Sequence, residues 1–149
     1  MRESIGQAFL TTLVLTIIGV MIFILIGAVV YSKTFKIKTK LVDIVEKYKG
    51  YNESAKDEIQ EYLVSIGYRK NKNSTQNCPS KDGGTILNNK SEQFHYCLYE
   101  FDSGTGNNRG KYYGVMVYIY FDFPIIGEML EIPVYGETEV FFDAEYIEG

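Results

Sequence analysis

The amino-acid sequence predicts an α+β protein. An N-terminal transmembrane helix is expected to continue into an amphipathic helix, followed by a second short helix and an antiparallel sheet of three to four strands. Residues 4–32 carry no charged side chain. Apolar residues then recur at helical spacing between positions 35 and 66. The C-terminal half is rich in Tyr and β-branched residues, which favours strands.

The uncharged run reads SIGQAFLTTLVLTIIGVMIFILIGAVVYS. About 20 apolar residues are enough to cross a bilayer as one helix, because a helix bonds every backbone amide within the segment. A cleaved signal peptide has a shorter apolar core, of roughly 7–15 residues, and ends at a pair of small residues that this run does not place well. We therefore predict a tail and retained anchor at residues 1–32, and an extracytoplasmic α+β domain at residues 33–149.

Two helical patterns follow the run. The first continues the anchor to about residue 49, with Gly50 as its stop, and its apolar positions are Phe35, Ile37, Leu41, Ile44, Val45 and Tyr48. The second begins at a capping box formed by Ser54 and Asp57 and ends at Gly67. Its apolar face, which we expect to pack in the core, consists of Ala55, Ile59, Tyr62, Leu63 and Ile66.

The remaining chain predicts a loop and three strands. Residues 69–91 are polar and lack periodicity, which is typical of a loop. Strands are expected at residues 94–101, 111–123 and 130–142, with a loop at 102–110, a turn at 124–129 and an acidic tail at 143–149. The alternation in the second strand predicts one dry face and one wetter face covered by tyrosines. Pro133 lacks an amide proton and so favours an edge position or a gap in pairing.

The two cysteines, Cys78 and Cys97, predict one disulfide, which would imply an oxidising compartment. The alternative is a pair of unpaired thiols, one of them buried. The net charge of −4 argues against a nucleic-acid partner.

The sequence gives conflicting signals about membrane orientation. The positive-inside rule would place the C-terminal domain in the cytoplasm, because four lysines follow the span: Lys33, Lys36, Lys38 and Lys40. Long domains can translocate largely regardless of charge, however. The cysteine pair and the Asn/Ser/Gly-rich middle favour the outside, which is our prediction.

Candidate catalytic residues are few, and we predict no enzyme activity, no cofactor and no bound metal. His95 is the only histidine, so it cannot build a cluster of His ligands. A Cys97–His95 dyad would lose its thiolate to the disulfide. The Gly-rich stretch at residues 104–110 joins two strands and lacks a phosphate-loop ending. Glu137 and Glu139 share one strand face, where solvated acids are a simpler explanation than a cation site.

Small residues within the anchor suggest close packing between membrane helices, because they let helix backbones approach each other. They are Gly6, Gly19, Gly27 and Ala28. Gly19 and Gly27 are eight residues apart, close to the same helix face. The alternative is that glycine is simply tolerated in membrane helices.

This order of elements resembles that of type IV pilins and pseudopilins, and most of all the TadE-like minor pilins. Locally the resemblance rests on GQAFL at residues 6–10 and on GETEVFF at residues 136–142. It does not extend to the glutamate that pilins carry at the fifth position after the processing glycine, where this chain has Thr11. The resemblance implies a non-enzymatic subunit or accessory of a surface filament or secretion apparatus. Its partners would be membrane lipid and other subunits packed against its N-terminal helix.

A second hypothesis from the residues is a membrane-tethered binding or sensor module, such as an accessory subunit of another membrane complex. In that case the tyrosine-lined sheet face would meet a ligand, because tyrosine gives contact area at a small entropic cost.

Overall fold

The computed structural model describes residues 2–70, 78–88, 93–104, 110–122 and 129–142 of the 149-residue chain. It confirms the α+β class. The chain divides into two compact units, Met1–Lys33 and Thr34–Gly149. The elements are helices α1 (Arg2–Lys47) and α2 (Glu53–Ser65), and strands β1 (Gly84–Ile86), β2 (Tyr96–Ser103), β3 (Gly110–Asp122), β4 (Met129–Glu137) and β5 (Phe141–Phe142). Residues 71–77 and 89–91 of the predicted loop at 69–91, residues 105–109 of the loop at 102–110, residues 124–128 of the turn at 124–129 and the tail at 143–149 lie outside the described residues.

Helix α1 ends close to the predicted stop, although not in the predicted manner. Lys49 takes the left-handed conformation (φ 52°), and Gly50 follows with φ 140°. The Gly50 amide donates to the Val45 carbonyl at 2.9 Å, which closes the last turn. A Cβ at Gly50 would also lie 2.8 Å from the Tyr113 hydroxyl oxygen. Glycine is therefore required here both by its φ angle and by the close approach of a tyrosine.

Helix α2 begins one residue before the predicted capping box, so the prediction of a Ser54 cap is wrong. Asn52 is the N-cap, and its Oδ1 accepts from the Ala55 amide at 2.9 Å. Asparagine and serine cap helices about equally well, so cap preference alone did not separate the two positions. The predicted apolar face is confirmed: Ala55, Ile59 and Leu63 are fully buried.

The strands form one antiparallel sheet in the order β1-β2-β3-β4, and β5 also pairs with β3. Strand β1 lies inside the segment that we predicted to be a loop, and it pairs Ile86 with Tyr99. Its three residues are too short for an alternating pattern to be recognised in the sequence.

The predicted single strand at residues 130–142 is wrong, because a bulge divides it into β4 and β5. Glu137 pairs with Gly114, whereas Phe141 pairs with Lys111. Three residues therefore oppose two on β3, and the extra residue reverses which side chains face the helices. As a result Phe141 packs in the core, whereas Phe142 is exposed.

One face of the sheet packs against α2 and the α1 residues of the second unit. The amphipathic pattern of this part of α1 is confirmed, except that Phe35 is exposed. The core between helices and sheet consists mainly of aliphatic side chains, with Leu41, Ile44 and Val45 from α1, Ile59 and Leu63 from α2, and Leu98, Val115 and Val117 from the sheet.

Pro133 lies on β4, which is an edge strand of the described sheet, as predicted. Pro133 pairs with Tyr118. The Tyr118 amide donates to the Tyr68 hydroxyl, and the same hydroxyl donates to the carbonyl of His95, the residue that precedes β2. The Tyr118 backbone therefore faces β2 rather than β4. Opposed residues in an antiparallel pair either both bond across or both face away, so the Pro133 nitrogen points outward from the sheet.

Candidate functional site

The apolar half of α1 is the first candidate for function. It belongs to the one helix in the described part of the chain that is long and apolar enough to cross a membrane. Its large apolar side chains from Phe9 to Tyr31 are exposed, except for the half-exposed Val30. Monomeric soluble proteins rarely expose so large a contiguous apolar surface. This surface therefore calls for lipid or for other apolar helices as its surroundings.

Three threonine hydroxyls of the same segment are satisfied within the helix. The hydroxyls of Thr11, Thr12 and Thr16 donate to carbonyls four residues earlier, at 2.9, 2.9 and 2.8 Å. Such bonds remove the cost of placing a hydroxyl in hydrocarbon. The threonines are thus compatible with a lipid environment.

Three small residues of this helix have open space beside them in the part of the chain that the structure describes. A Cβ added at Gly6, Gly19 or Gly27 would meet nothing within 4 Å. Ala28 is likewise exposed. Close packing of these positions against another helix stays a prediction.

The second candidate is the sheet face opposite the helices, which we call the tyrosine face. It carries Cys97, Tyr99, Phe101, Tyr112, Met116, Tyr118, Tyr120 and Tyr135. The expectation that this face is exposed to solvent is wrong. Tyr99 is fully buried, and Tyr118 is only 9% exposed. The face is therefore a second core rather than an open surface.

The predicted disulfide holds the cover of this face. Cys78 and Cys97 are bonded, with Cα atoms 5.7 Å apart. The segment that follows Cys78, which we call the strap (residues 78–88), crosses the tyrosine face. The Tyr99 hydroxyl donates to the Pro79 carbonyl at 2.8 Å, and the Lys81 ammonium lies 3.0 Å from the centre of the Tyr135 ring. The strap is thus attached by a covalent bond, a hydrogen bond and a cation–π contact.

The end of the strap is attached to β2 through the side chain of Asn88, which is buried. Its Nδ2 donates to the Tyr96 carbonyl at 2.7 Å, and its Oδ1 accepts from the Leu98 amide at 2.8 Å. The amide side chain therefore continues the ladder that β1 begins. The sequence offered no signal for this role, because an Asn within a polar segment reads as a turn residue.

A tyrosine hydroxyl replaces the ladder between β2 and β3 just before β2 begins. The Tyr68 hydroxyl accepts from the Tyr118 amide at 3.1 Å and donates to the His95 carbonyl at 3.0 Å. Burial raises the pKa of Tyr68 to about 12. The phenol therefore stays protonated at neutral pH and can fill both roles.

His95 lies at this end of the tyrosine face. Its ring meets Tyr118 edge-on with centroids 4.3 Å apart, and the ring of Tyr120 is 6.3 Å away. Burial lowers the pKa of His95, so its neutral form is favoured. Cys97 lies two residues further along, but its sulfur is held in the disulfide and is not available as a nucleophile.

The acids Glu137 and Glu139 are separated by the bulge. The Glu139 amide donates to Glu46 Oε1 at 3.0 Å, which ties this part of the sheet to α1. Among the described residues, no group of three His, Cys, Asp or Glu side chains is arranged to hold a metal ion.

Comparison with known proteins gives no relative. No protein-family model, no curated protein and no solved structure matches this chain. The apolar helix and the disulfide-closed sheet are therefore the features from which function is inferred.

Proposed function

We propose that this protein is a non-enzymatic, single-pass membrane-anchored subunit or accessory of a pilin-like filament or secretion apparatus, similar to the TadE-like minor pilins. The observation that carries the proposal is the apolar half of α1, in which sixteen large apolar side chains between Phe9 and Tyr31 are exposed. Lipid covers such a helix in one subunit, and neighbouring helices cover it in an assembly.

The proposal places the C-terminal domain on the extracytoplasmic side. The disulfide supports this side, because such bonds persist in oxidising environments and are rare in the cytosol. The four lysines after the span argue for the opposite side, but charge governs long translocated domains only weakly.

The alternative of a binding module that uses the tyrosine face receives less support. The strap and the disulfide already occupy much of that face, and Tyr99, Phe101 and Tyr118 are buried beneath them or among one another. A ligand at this face would have to displace the strap. The apolar helix needs no such rearrangement to meet a partner.

A pair of matched substitutions tests assembly through the helix. Gly19→Ile introduces a branched side chain at a position where close helix packing is predicted. The control, Val20→Ile, introduces the same residue at the next position, which already carries a branched side chain. Chemical cross-linking of the full chain in its native membrane is expected to give oligomers that Gly19→Ile reduces several-fold and Val20→Ile leaves unchanged. A wild-type chain that is monomeric, both in the membrane and in sheared surface material, would contradict the proposal.

Thiol labelling tests the side of the membrane. In intact cells, a membrane-impermeant maleimide is expected to label the chain only after an impermeant reductant has opened the Cys78–Cys97 bond. The half-exposed Cys78 is the thiol expected to react. Labelling that requires cell lysis would place the domain in the cytoplasm and overturn this part of the proposal.

A further inference from the structure

Positive charge is concentrated directly after the apolar run. Residues 33–40 read KTFKIKTK, with four lysines and no acid. The whole chain has 15 basic and 19 acidic side chains, so without these four it has 11 against 19, a net charge of −8. A chain that is otherwise acidic thus carries its basic segment beside the predicted membrane surface.

Two of these lysines are exposed on the outer side of the second unit. Lys36 and Lys40 are one helical turn apart on α1 and both are exposed, whereas Ile37 and Leu41 beside them are buried. Lys38 is half-buried, and its ammonium lies 4.2 Å from the centre of the Phe35 ring. Phe35 itself is exposed, next to a basic group, as in the interfacial belts of membrane proteins.

These lysines lie near the headgroups because few residues separate them from the end of the apolar run. Lys36 lies four residues after Ser32, and four residues span at most about 14 Å in any conformation. The headgroup layer on each side of the hydrocarbon is roughly 5–8 Å thick, and electrostatic attraction extends about 10 Å further at 0.1 M salt. Lys36 is therefore within range of the lipid surface wherever the run ends in the bilayer.

We propose that Lys36 and Lys40 bind the phosphate groups of anionic phospholipids in the leaflet where the span ends. This inference rests on the membrane insertion that is part of the proposed function, and not on the filament role. The binding is electrostatic: two exposed ammonium groups attract headgroups that carry a net negative charge, while the acidic remainder of the chain is repelled from them.

The acids nearest to this segment do not cancel its charge. Asp43 is exposed one turn beyond Lys40, further from the span. Glu58 is affected by the charge of Lys40 but accepts its direct bonds from Lys47, at 2.6 Å, and from the Tyr48 hydroxyl, at 2.7 Å. Lys36 has the fewest acidic neighbours along the helix and is expected to contribute most.

The test measures lipid selectivity of the full chain in vesicles. Spin-labelled phosphatidylglycerol and spin-labelled phosphatidylcholine report the ratio of their association constants at the protein surface. The wild-type ratio is expected to exceed 1 at low salt and to approach 1 in molar salt. Each lysine near an anionic surface contributes about fivefold to binding, so Lys36→Gln/Lys40→Gln is expected to lower the preference by up to about 25-fold.

Two controls complete the test: a matched double variant and a comparison of phosphate with chloride. Lys49→Gln/Lys70→Gln removes the same charge at exposed positions further along the chain and is expected to leave the ratio unchanged. An equal fall in both double variants, or no fall in either, would overturn the inference. So would a stronger loss in inorganic phosphate than in chloride of matched ionic strength, which would indicate a free-anion site. A wild-type chain that fails to insert into the vesicles would instead contradict the anchor itself.

Discussion

The ring of Tyr135 on β4 lies over Gly114 on the neighbouring strand β3. A Cβ at Gly114 would be 2.8 and 2.9 Å from two carbons of that ring. The same ring also meets the ammonium of Lys81 from the strap. Tyr135 thus contacts both the glycine and the lysine, a stack of contacts that joins the edge strand to the strap.

This stack predicts that Gly114→Ala destabilises the domain. The methyl group must push the Tyr135 ring away, and overpacking of this kind costs about 1–3 kcal/mol. Urea denaturation of the second unit within the full chain measures the loss. In a Tyr135→Ala background the same substitution is expected to be neutral or stabilising, because the clash is gone and alanine costs less backbone entropy than glycine. Equal losses in both backgrounds would contradict the stack.

Tyr68→Phe is expected to destabilise the domain by about 1–3 kcal/mol. It leaves the Tyr118 amide and the His95 carbonyl without the hydroxyl that bonds both, and an unpaired buried backbone group carries the cost of its lost hydration. Tyr62→Phe is the control, because the Tyr62 hydroxyl makes no hydrogen bond within the part of the chain that the structure describes. Similar urea midpoints for the two variants would show that the Tyr68 hydroxyl does not replace the ladder.

Alkaline pH is expected to weaken the domain. Burial raises the pKa values of Tyr68 and Tyr99 to about 12, above the ordinary value of 10. Above pH 10 the unfolded chain loses these protons while the folded chain keeps them, so the free energy of unfolding falls as the pH rises from 10 towards 12. For Tyr68 the total effect is on the order of 2 kcal/mol.

Urea denaturation at a series of pH values tests this behaviour. The Tyr68→Phe/Tyr99→Phe variant is expected to start from a lower stability and to lose less of it above pH 10. A slope as steep as that of the wild type would assign the effect to other groups.

Reduction of the disulfide is expected to cost about 3 kcal/mol in the chain-entropy model, because the bond closes a loop between residues 19 apart. It also releases the first part of the strap, so tyrosine hydroxyls beneath it become accessible. Cys78→Ser/Cys97→Ser reproduces the loss without reductant. The urea midpoint gives the stability, and the rate of tyrosine iodination reports exposure. Faster iodination with an unchanged urea midpoint would show that the disulfide covers the tyrosines but does not stabilise the domain, which would contradict the predicted loss of stability.

Prediction from the sequence succeeded where a long repeating pattern defined an element. The uncharged run, the apolar faces of both helices and the alternation in β3 each extend over many residues, so the periodicity was clear. Prediction failed where one residue decided the outcome. The choice of Asn52 over Ser54 as a cap depends on local geometry that both residues can satisfy.

The sheet was least predictable where tertiary contacts override local pattern. The bulge between Glu137 and Phe141 reverses the facing of Phe141 and Phe142, and no residue in that stretch marks the extra position. The burial of Tyr99 and Tyr118 depends on the strap, which the sequence presents as a polar loop tied to the sheet only at the predicted disulfide. Long-range pairing through Cys78 and Asn88 brings this loop onto the sheet.

The outward nitrogen of Pro133 affects how a second copy of the chain can meet this edge of the sheet. The outer margin of β4 offers no donor at its midpoint, and the exposed carboxylates of Glu131 and Glu137 lie on either side of it. An incoming strand would meet a missing bond and like charges, which natural sheets use to discourage such additions. The β4 edge therefore resists pairing with a strand of a neighbouring molecule, whatever brings the two together.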